Sequence, residues 1–187
     1  MLSVIIATQN SERPLVVTLA SLVSGATEGL VGEVLIADGG SRDDTAAVAD
    51  VAGCKFLRLE EALALRMRAA AGAARHRWLM FLRPGTVLDT PWAGETMRFV
   101  ERPGSEQRAA IFRRGAPTET SLRLALSLLA SALGTRPHPE QGLVIAKPLY
   151  ETIGGHSESA ADPELDLIRR IGRRRIARLS SSAVVAD

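Results

Sequence analysis

Short apolar strands alternating with helical segments over the first half of the chain predict an α/β domain built on a parallel sheet with crossover helices. Three observations carry that reading. Residues 34–37 and 78–82 are uninterrupted apolar runs, and residues 2–7 are one with only Ser3 polar, of the kind that a strand buried on both faces presents. Between the first two, Leu15, Thr18, Leu19, Leu22 and Val23 mark one face of a helix. Two of the runs break abruptly at turn-forming residues, Asp38-Gly39-Gly40 and Arg83-Pro84-Gly85-Thr86.

The elements follow in order. Residues 2–7 are β-branched and read as a central first strand, followed by the polar loop Thr8-Gln9-Asn10-Ser11. Pro14 suits the first turn of a helix, where its missing amide costs nothing, and residues 25–32 form a loop. The second strand ends at Asp38, so a carboxylate stands at the carboxyl end of a strand, where open α/β sheets bind their ligands. Ser41 is expected to open the next helix, with Asp44 three residues on completing a capping-box spacing. That helix runs from Asp43 to near Gly53, with Cys54 a small core residue before a third strand at 55–59. Residues 60–74, rich in alanine and arginine, read as helix, and residues 78–82 as the fourth strand.

The second half is less regular. A helix is expected over 92–101, an edge strand over 109–113 and a leucine-rich helix over 122–133. A helix apolar all round is usually buried, and an in-plane membrane contact is its alternative. A strand over 142–146 leads through Lys147-Pro148-Leu149-Tyr150 to a turn at Gly154-Gly155. Asp162-Pro163 opens a final helix through Ile171, because aspartate is a good N-cap and proline a good first helical residue. The arginines at 169, 170, 173, 174, 175 and 178 suit the carboxyl end of that helix, and can also meet anionic head groups. Val184 and Val185 close a last short strand.

Composition narrows the function. At 187 residues the chain fits one domain with a full core. A formal net charge of +2 does not imply nucleic acid, and none is expected as a partner. One cysteine rules out an internal disulfide and a thiolate zinc cluster. No stretch is long and apolar enough to span a bilayer, and the N-terminus reads as a strand and not a signal peptide. The expected compartment is the cytoplasm, with a peripheral contact at the inner membrane face as the alternative the arginines raise.

In this order and spacing the segments resemble the family 2 glycosyltransferases of the GT-A fold. Ser3-Val4-Ile5-Ile6-Ala7-Thr8, then Asn10, resembles that family's opening strand and loop, and Asp38-Gly39-Gly40-Ser41 with Asp43-Asp44-Thr45 its second signature. The chain is similar to small bacterial members in which a Gln-Gly pair and a Gly-Gly turn precede the last helix, as Gln141-Gly142 and Gly154-Gly155 do here. The resemblance implies a Rossmann-like, mixed but mostly parallel sheet flanked by helices. It implies one domain over 1–187, with a nucleotide-binding half at 1–90 and an acceptor half at 91–187. The donor would be a UDP- or GDP-sugar and the acceptor a glycan or lipid-linked group. Thr8, Asn10, Asp38, Gly39, Asp43, Arg66 and Arg83 would face the donor, with Asp38 accepting hydrogen bonds from the base. Gln141, Gly142, Gly154, Gly155 and His156 would lie on the acceptor side, with Glu140 a further contact for sugar hydroxyls. Asp162 would be the base of an inverting transfer; as a residue pattern it is equally an N-cap.

The departures from the family pattern bear on chemistry. Where relatives place an Asp-x-Asp to hold magnesium or manganese, this chain reads Phe81-Leu82-Arg83-Pro84-Gly85-Thr86, with no carboxylate until Asp89. Arginine repels a divalent cation that needs oxygen ligands. Either the metal is absent or something else supplies its charge. Arg83 can pair with a phosphate bidentately, or stand as a surface residue of a Pro-Gly turn. Ala70 lies where relatives often carry asparagine, and Ala161 replaces the acid usually found before the base. A relative that binds nucleotide or sugar without catalysis is the alternative that the missing acid pair favours.

Overall fold

The computed structural model describes residues 1–115 and 137–185, so the leucine-rich segment expected to be helical at 122–133 lies outside the described residues. The strands are β1 (Leu2–Thr8), β2 (Val31–Asp38), β3 (Lys55–Arg58), β4 (Trp78–Leu82), β5 (Thr86–Leu88), β6 (Ala109–Arg114), β7 (Leu143–Ala146) and β8 (Ile176–Val185). The helices are α1 (Glu12–Thr27), α2 (Thr45–Val51), α3 (Leu63–Ala73), α4 (Trp92–Glu101), α5 (Lys147–Thr152) and α6 (Pro163–Ile171). Among the described residues the strands form one sheet in the order β3-β2-β1-β4-β7-β6-β8-β5. Strands β3, β2, β1 and β4 run parallel, β4 to β7 and β7 to β6 antiparallel, β6 to β8 parallel and β8 to β5 antiparallel. This is the mixed, mostly parallel α/β sheet expected.

The core follows from the apolar runs. Val4, Ile5, Ile6, Leu79 and Met80 are fully buried, as strands covered on both faces must be. Trp92 is also fully buried, with its indole Nε1 donating to the Ser21 carbonyl at 3.0 Å. It packs so close to α1 that a Cβ on Gly25 would lie 2.4 Å from its ring.

Several expectations need correction. Helix α1 runs two residues past Gly25, and Val23 on it is 58% exposed, so the apolar face is narrower than the periodicity suggested. Ser41 does not open a helix: α2 starts at Thr45 after Asp44, whose side chain makes no capping bond. Cys54 is only partly buried against the core. Strand β6 is flanked by β7 and β8 and is not an edge. Residues 147–152 form helix α5, and β5 was not anticipated. The last strand spans ten residues where two were expected. Its alternating buried positions, Leu179, Ser181 and Ala183, include a serine, which masked the period of two. Only Arg169 and Arg170 lie in the last turn of α6, because Gly172 ends the helix and Arg173–Arg175 form a 3-10 turn beyond it.

Candidate functional site

Parallel register sets Thr8 beside Asp38 at the carboxyl ends of β1 and β2. Thr8 Oγ1 donates to Asp38 Oδ1 at 2.8 Å and Ser41 Oγ donates to the same oxygen at 2.5 Å. The amides of Gly40 and Ser41 donate to Oδ2 at 2.9 and 2.8 Å. Burial alone would raise this carboxyl, but hydrogen bonds from Ser41, Thr8 and Gly40 outweigh it and hold it below the ordinary carboxylate range. A carboxylate offers about four acceptor positions. All four are met from the chain, two of them by the Thr8 and Ser41 hydroxyls, and Asp38 is 1% exposed. The carboxylate shapes the turn on which a ligand would rest.

The loops after β1 and β2 are stitched together. Asn10, with φ of 49°, donates through its amide to Ser41 Oγ and accepts from the Arg42 amide, both at 2.8 Å. Asp43 accepts from the Glu12 amide at 3.1 Å and from Thr45 Oγ1 at 2.5 Å, and the Thr45 hydroxyl oxygen accepts from the Ser11 amide at 2.9 Å. The Thr45 hydroxyl first, then the Glu12 and Thr45 amides, hold the Asp43 carboxyl below its ordinary value against slight desolvation. Arg66 is buried under this rim and donates through Nη1 to the Thr8 and Ala37 carbonyls at 2.8 and 3.2 Å. A Cβ at position 39 would stand 2.5 Å from that nitrogen, so Gly39 is what lets the guanidinium reach the strand ends. Burial pulls Arg66 below its ordinary pKa, and the charge of Asp38 opposes it.

Beside the rim lies a cavity of about 400 Å³, lined by Ala7, Ser11, Leu63, Leu82, Arg83 and Glu164, with Pro14 and Pro84. It opens past the ends of β1 and β4. Arg83 donates from Nε to Glu164 Oε2 at 2.8 Å and from Nη2 to the same oxygen. Burial works against the Arg83 charge, but Glu164, with Asp162 and Glu140 further off, raises its pKa above the ordinary value. Asp162 caps α6, accepting from the Leu165 amide at 2.9 Å through Oδ1; Oδ2 has no hydrogen-bond partner among the described residues.

A divalent metal does not fit these residues. The side chain directly after β4 is a cation, and the carboxylate it meets holds it through Oε2. Asp89, next in sequence, accepts from the Ser182 amide and hydroxyl at 2.7 and 2.8 Å, tied to β8. Among the described residues no three His, Cys, Asp or Glu side chains are grouped to hold a metal ion.

The residues expected on the acceptor side are built into the scaffold. Gln141 is buried, donating to the Phe112 carbonyl at 2.8 Å and accepting from the His138 amide at 2.8 Å. Gly142 packs against Leu82, and Gly154 turns the chain after α5. Gly155 takes φ of 61° with its α-carbon against the Tyr150 ring. Glu140 pairs with Arg114 at 2.7 Å. His156, expected to face the acceptor, is buried. It is 1% exposed, its Nδ1 lies 2.9 Å from Tyr150 Oη, and its ring meets Phe81 edge-on. Burial first, then the charge of Arg170, pushes its pKa down to about 4 against the pull of Asp166. The histidine is held neutral.

Sequence reasoning missed Glu164. Its only signal was an acid in the first turn of the final helix, which the helix dipole explains as well as a site does. The rim residues and the Arg83 cleft therefore adjoin, while Gln141, Gly155 and His156 lie buried outside the cleft lining.

Comparison with known proteins follows from this geometry. The model of the family described as glycosyl transferase family 2 matches residues 3–134. A comparison with curated proteins found no match. Among solved structures, residues 1–349 of S. aureus TarS align with a TM-score of 0.72 at 17% identity, over 99% of this chain and 60% of that one. The same fragment in complex with UDP-GlcNAc aligns with a TM-score of 0.71 at 18% identity, over 100% of this chain and 58% of that one. Glucosyl-3-phosphoglycerate synthase from Mycobacterium tuberculosis, in complex with Mn2+, UDP and glucosyl-3-phosphoglycerate, aligns with a TM-score of 0.71 at 19% identity, over 100% of this chain and 72% of that one. At such identities the likeness is one of fold. The chain spans about 60% of the TarS fragment.

Proposed function

Since the chain belongs to glycosyl transferase family 2, we propose that it transfers a sugar from a nucleoside diphosphate donor to an acceptor hydroxyl. The observation that carries this reading is the cleft at the carboxyl ends of β1 and β4, rimmed by the stitched loops on one side and by the first turn of α6 on the other. Thr8, Asn10, Gly39 and Asp43 form the rim for the nucleoside, with Asp38 and Arg66 holding that rim in shape from below. The half at 1–90 then serves the donor and the half at 91–187 the acceptor, within one domain.

Inversion at the anomeric carbon is the simplest course for this arrangement. The acceptor oxygen attacks the anomeric carbon, its proton passes to the Asp162 carboxylate, and the bond to the diphosphate breaks with its electron pair leaving on the phosphate oxygen. Asp162 suits that part because Oδ1 is fixed by the Leu165 amide, which leaves Oδ2 for the proton. Capping and catalysis are compatible here. UDP and GDP sugars are the donors proposed, and a glycan or lipid-linked acceptor is the class to try first. No helix among the described residues is long and apolar enough to cross a membrane.

Arg83 in the place of a metal carboxylate favours a second reading, a relative that binds nucleotide or sugar without transferring it. One experiment separates the two. Melting temperatures are measured with a panel of nucleotide sugars, because a ligand of the folded form alone must raise them, and each stabilising donor is then incubated with acceptors and assayed for released nucleoside diphosphate. Stabilisation with release supports transfer, and stabilisation without release to any acceptor supports the binding reading. No stabilisation by any nucleotide sugar refutes both.

A further inference from the structure

Glu164 stands in the cleft already paired, and its partner is the cation that follows β4. Both guanidinium bonds run to one oxygen: Nε and Nη2 meet Glu164 Oε2. Of the five N–H donors of a guanidinium, this uses two. Nη1 makes no hydrogen bond among the described residues, and the Arg83 side chain is 36% exposed against 12% for Glu164. The cation lines the cavity and keeps donors for a second acceptor there.

The carboxylate beside it has a different effect on a ligand. A diphosphate brings two or more negative charges to the same guanidinium, and Glu164 repels them at close range. Asp162 adds to that field, since it too acts on the Arg83 charge. A fork of guanidinium N–H groups matches two phosphate oxygens better than it matches one carboxylate oxygen. The stronger and more highly charged acceptor should displace the weaker one.

We infer that Arg83 is the counter-charge for the donor diphosphate, that the diphosphate takes the guanidinium from Glu164, and that this exchange replaces a divalent metal in the cleft. This rests on the reading of the cleft as a nucleotide site. Glu164 acts as a competitor that keeps the arginine in place when no nucleotide is bound. Removing the two halves of one ion pair must then have opposite effects on binding. A pair that served only to hold the fold would make both effects the same.

The test is calorimetric titration of the purified chain with UDP and with GDP, in EDTA and again with MnCl2. Arg83→Gln and Glu164→Gln are titrated alongside, and thermal melts confirm that each is folded. The expected result is binding in EDTA that manganese changes less than about twofold. Arg83→Gln should weaken it about tenfold to a hundredfold, the cost of a charge-assisted bond. Glu164→Gln should tighten it about threefold or more, as removal of a close like charge does. Binding that needs manganese overturns the inference and leaves the nucleotide site standing. So does parallel weakening by both variants. If neither nucleotide binds with or without manganese, the nucleotide site itself fails, and the inference with it.

Discussion

Acidification from pH 7 should cost this protein stability well before its carboxylates protonate, and His156 is the reason. Its ring is 1% exposed, packed on Phe81 and Tyr150, with Arg170 adding a like charge and only Asp166 opposing. The folded state holds it neutral down to about 4, whereas its ordinary value is 6.5. The unfolded chain therefore binds a proton in that window and the folded chain does not, so stability rises with pH there. The contribution is whole above 6.5 and is lost as the pH falls toward about 4. At about 1.4 kcal/mol per tenfold change in proton affinity, it reaches about 3 kcal/mol, with about 2 kcal/mol gone by about pH 5. The carboxylates held low by their partners act lower: Glu33 and Glu95 contribute stability lost only beneath 4.5, and Asp38 beneath 3.8. Urea unfolding at pH steps from about 7.5 to 4.5, for the parent and for His156→Gln, isolates the effect. Glutamine can still bond Tyr150 but cannot titrate, so its stability should be flatter across the window by about 2–3 kcal/mol. Parallel curves for the two proteins, or an NMR titration placing His156 near its ordinary value, would refute the argument.

Three further outcomes follow from the site. Asp38→Ala strands the donors of Thr8, Gly40 and Ser41 and should cost about 3 kcal/mol or more in urea unfolding, because charge-assisted bonds are lost at a buried position; a change under about 0.5 kcal/mol would show the turn stands without it. Gly155→Ala must hold φ of 61° and bring a Cβ to 3.0 Å from the Tyr150 ring, so its melting midpoint should fall by the equivalent of about 1–3 kcal/mol. Asp162→Asn keeps most of the cap, so stability should change by less than about 1 kcal/mol, while transfer, once a donor and acceptor are known, should drop about 10²–10⁴-fold with donor binding unchanged; undiminished transfer would make Asp162 a cap alone.

The strands that build the parallel half were legible because burial on both faces leaves a nearly continuous apolar run, as at residues 34–37, 78–82 and, Ser3 apart, 2–7. The position of Asp38 at a strand end and of Asp162 at a helix start were legible for the same local reason: glycines break a strand, and proline after aspartate opens a helix. Sequence alone could thus determine the four parallel strands of the first half, the character of the sheet and the residue types at its carboxyl edge, though not strand β5 or the start of α2. It could not assign partners. Ser41 looked like a helix cap because local spacing allowed it, yet its hydroxyl bonds Asp38, which Thr8, thirty residues away in sequence, also reaches only because β1 and β2 lie in register. The Arg83–Glu164 pair spans 81 positions, and nothing in either local stretch foretells it. The glycine turn seats His156 under Tyr150, so a histidine expected to face the acceptor is a buried neutral one. Hydrogen bonds and charges act over a few ångströms of space whatever the separation along the chain. Only the tertiary structure decided which polar groups were already satisfied and which were left for a ligand.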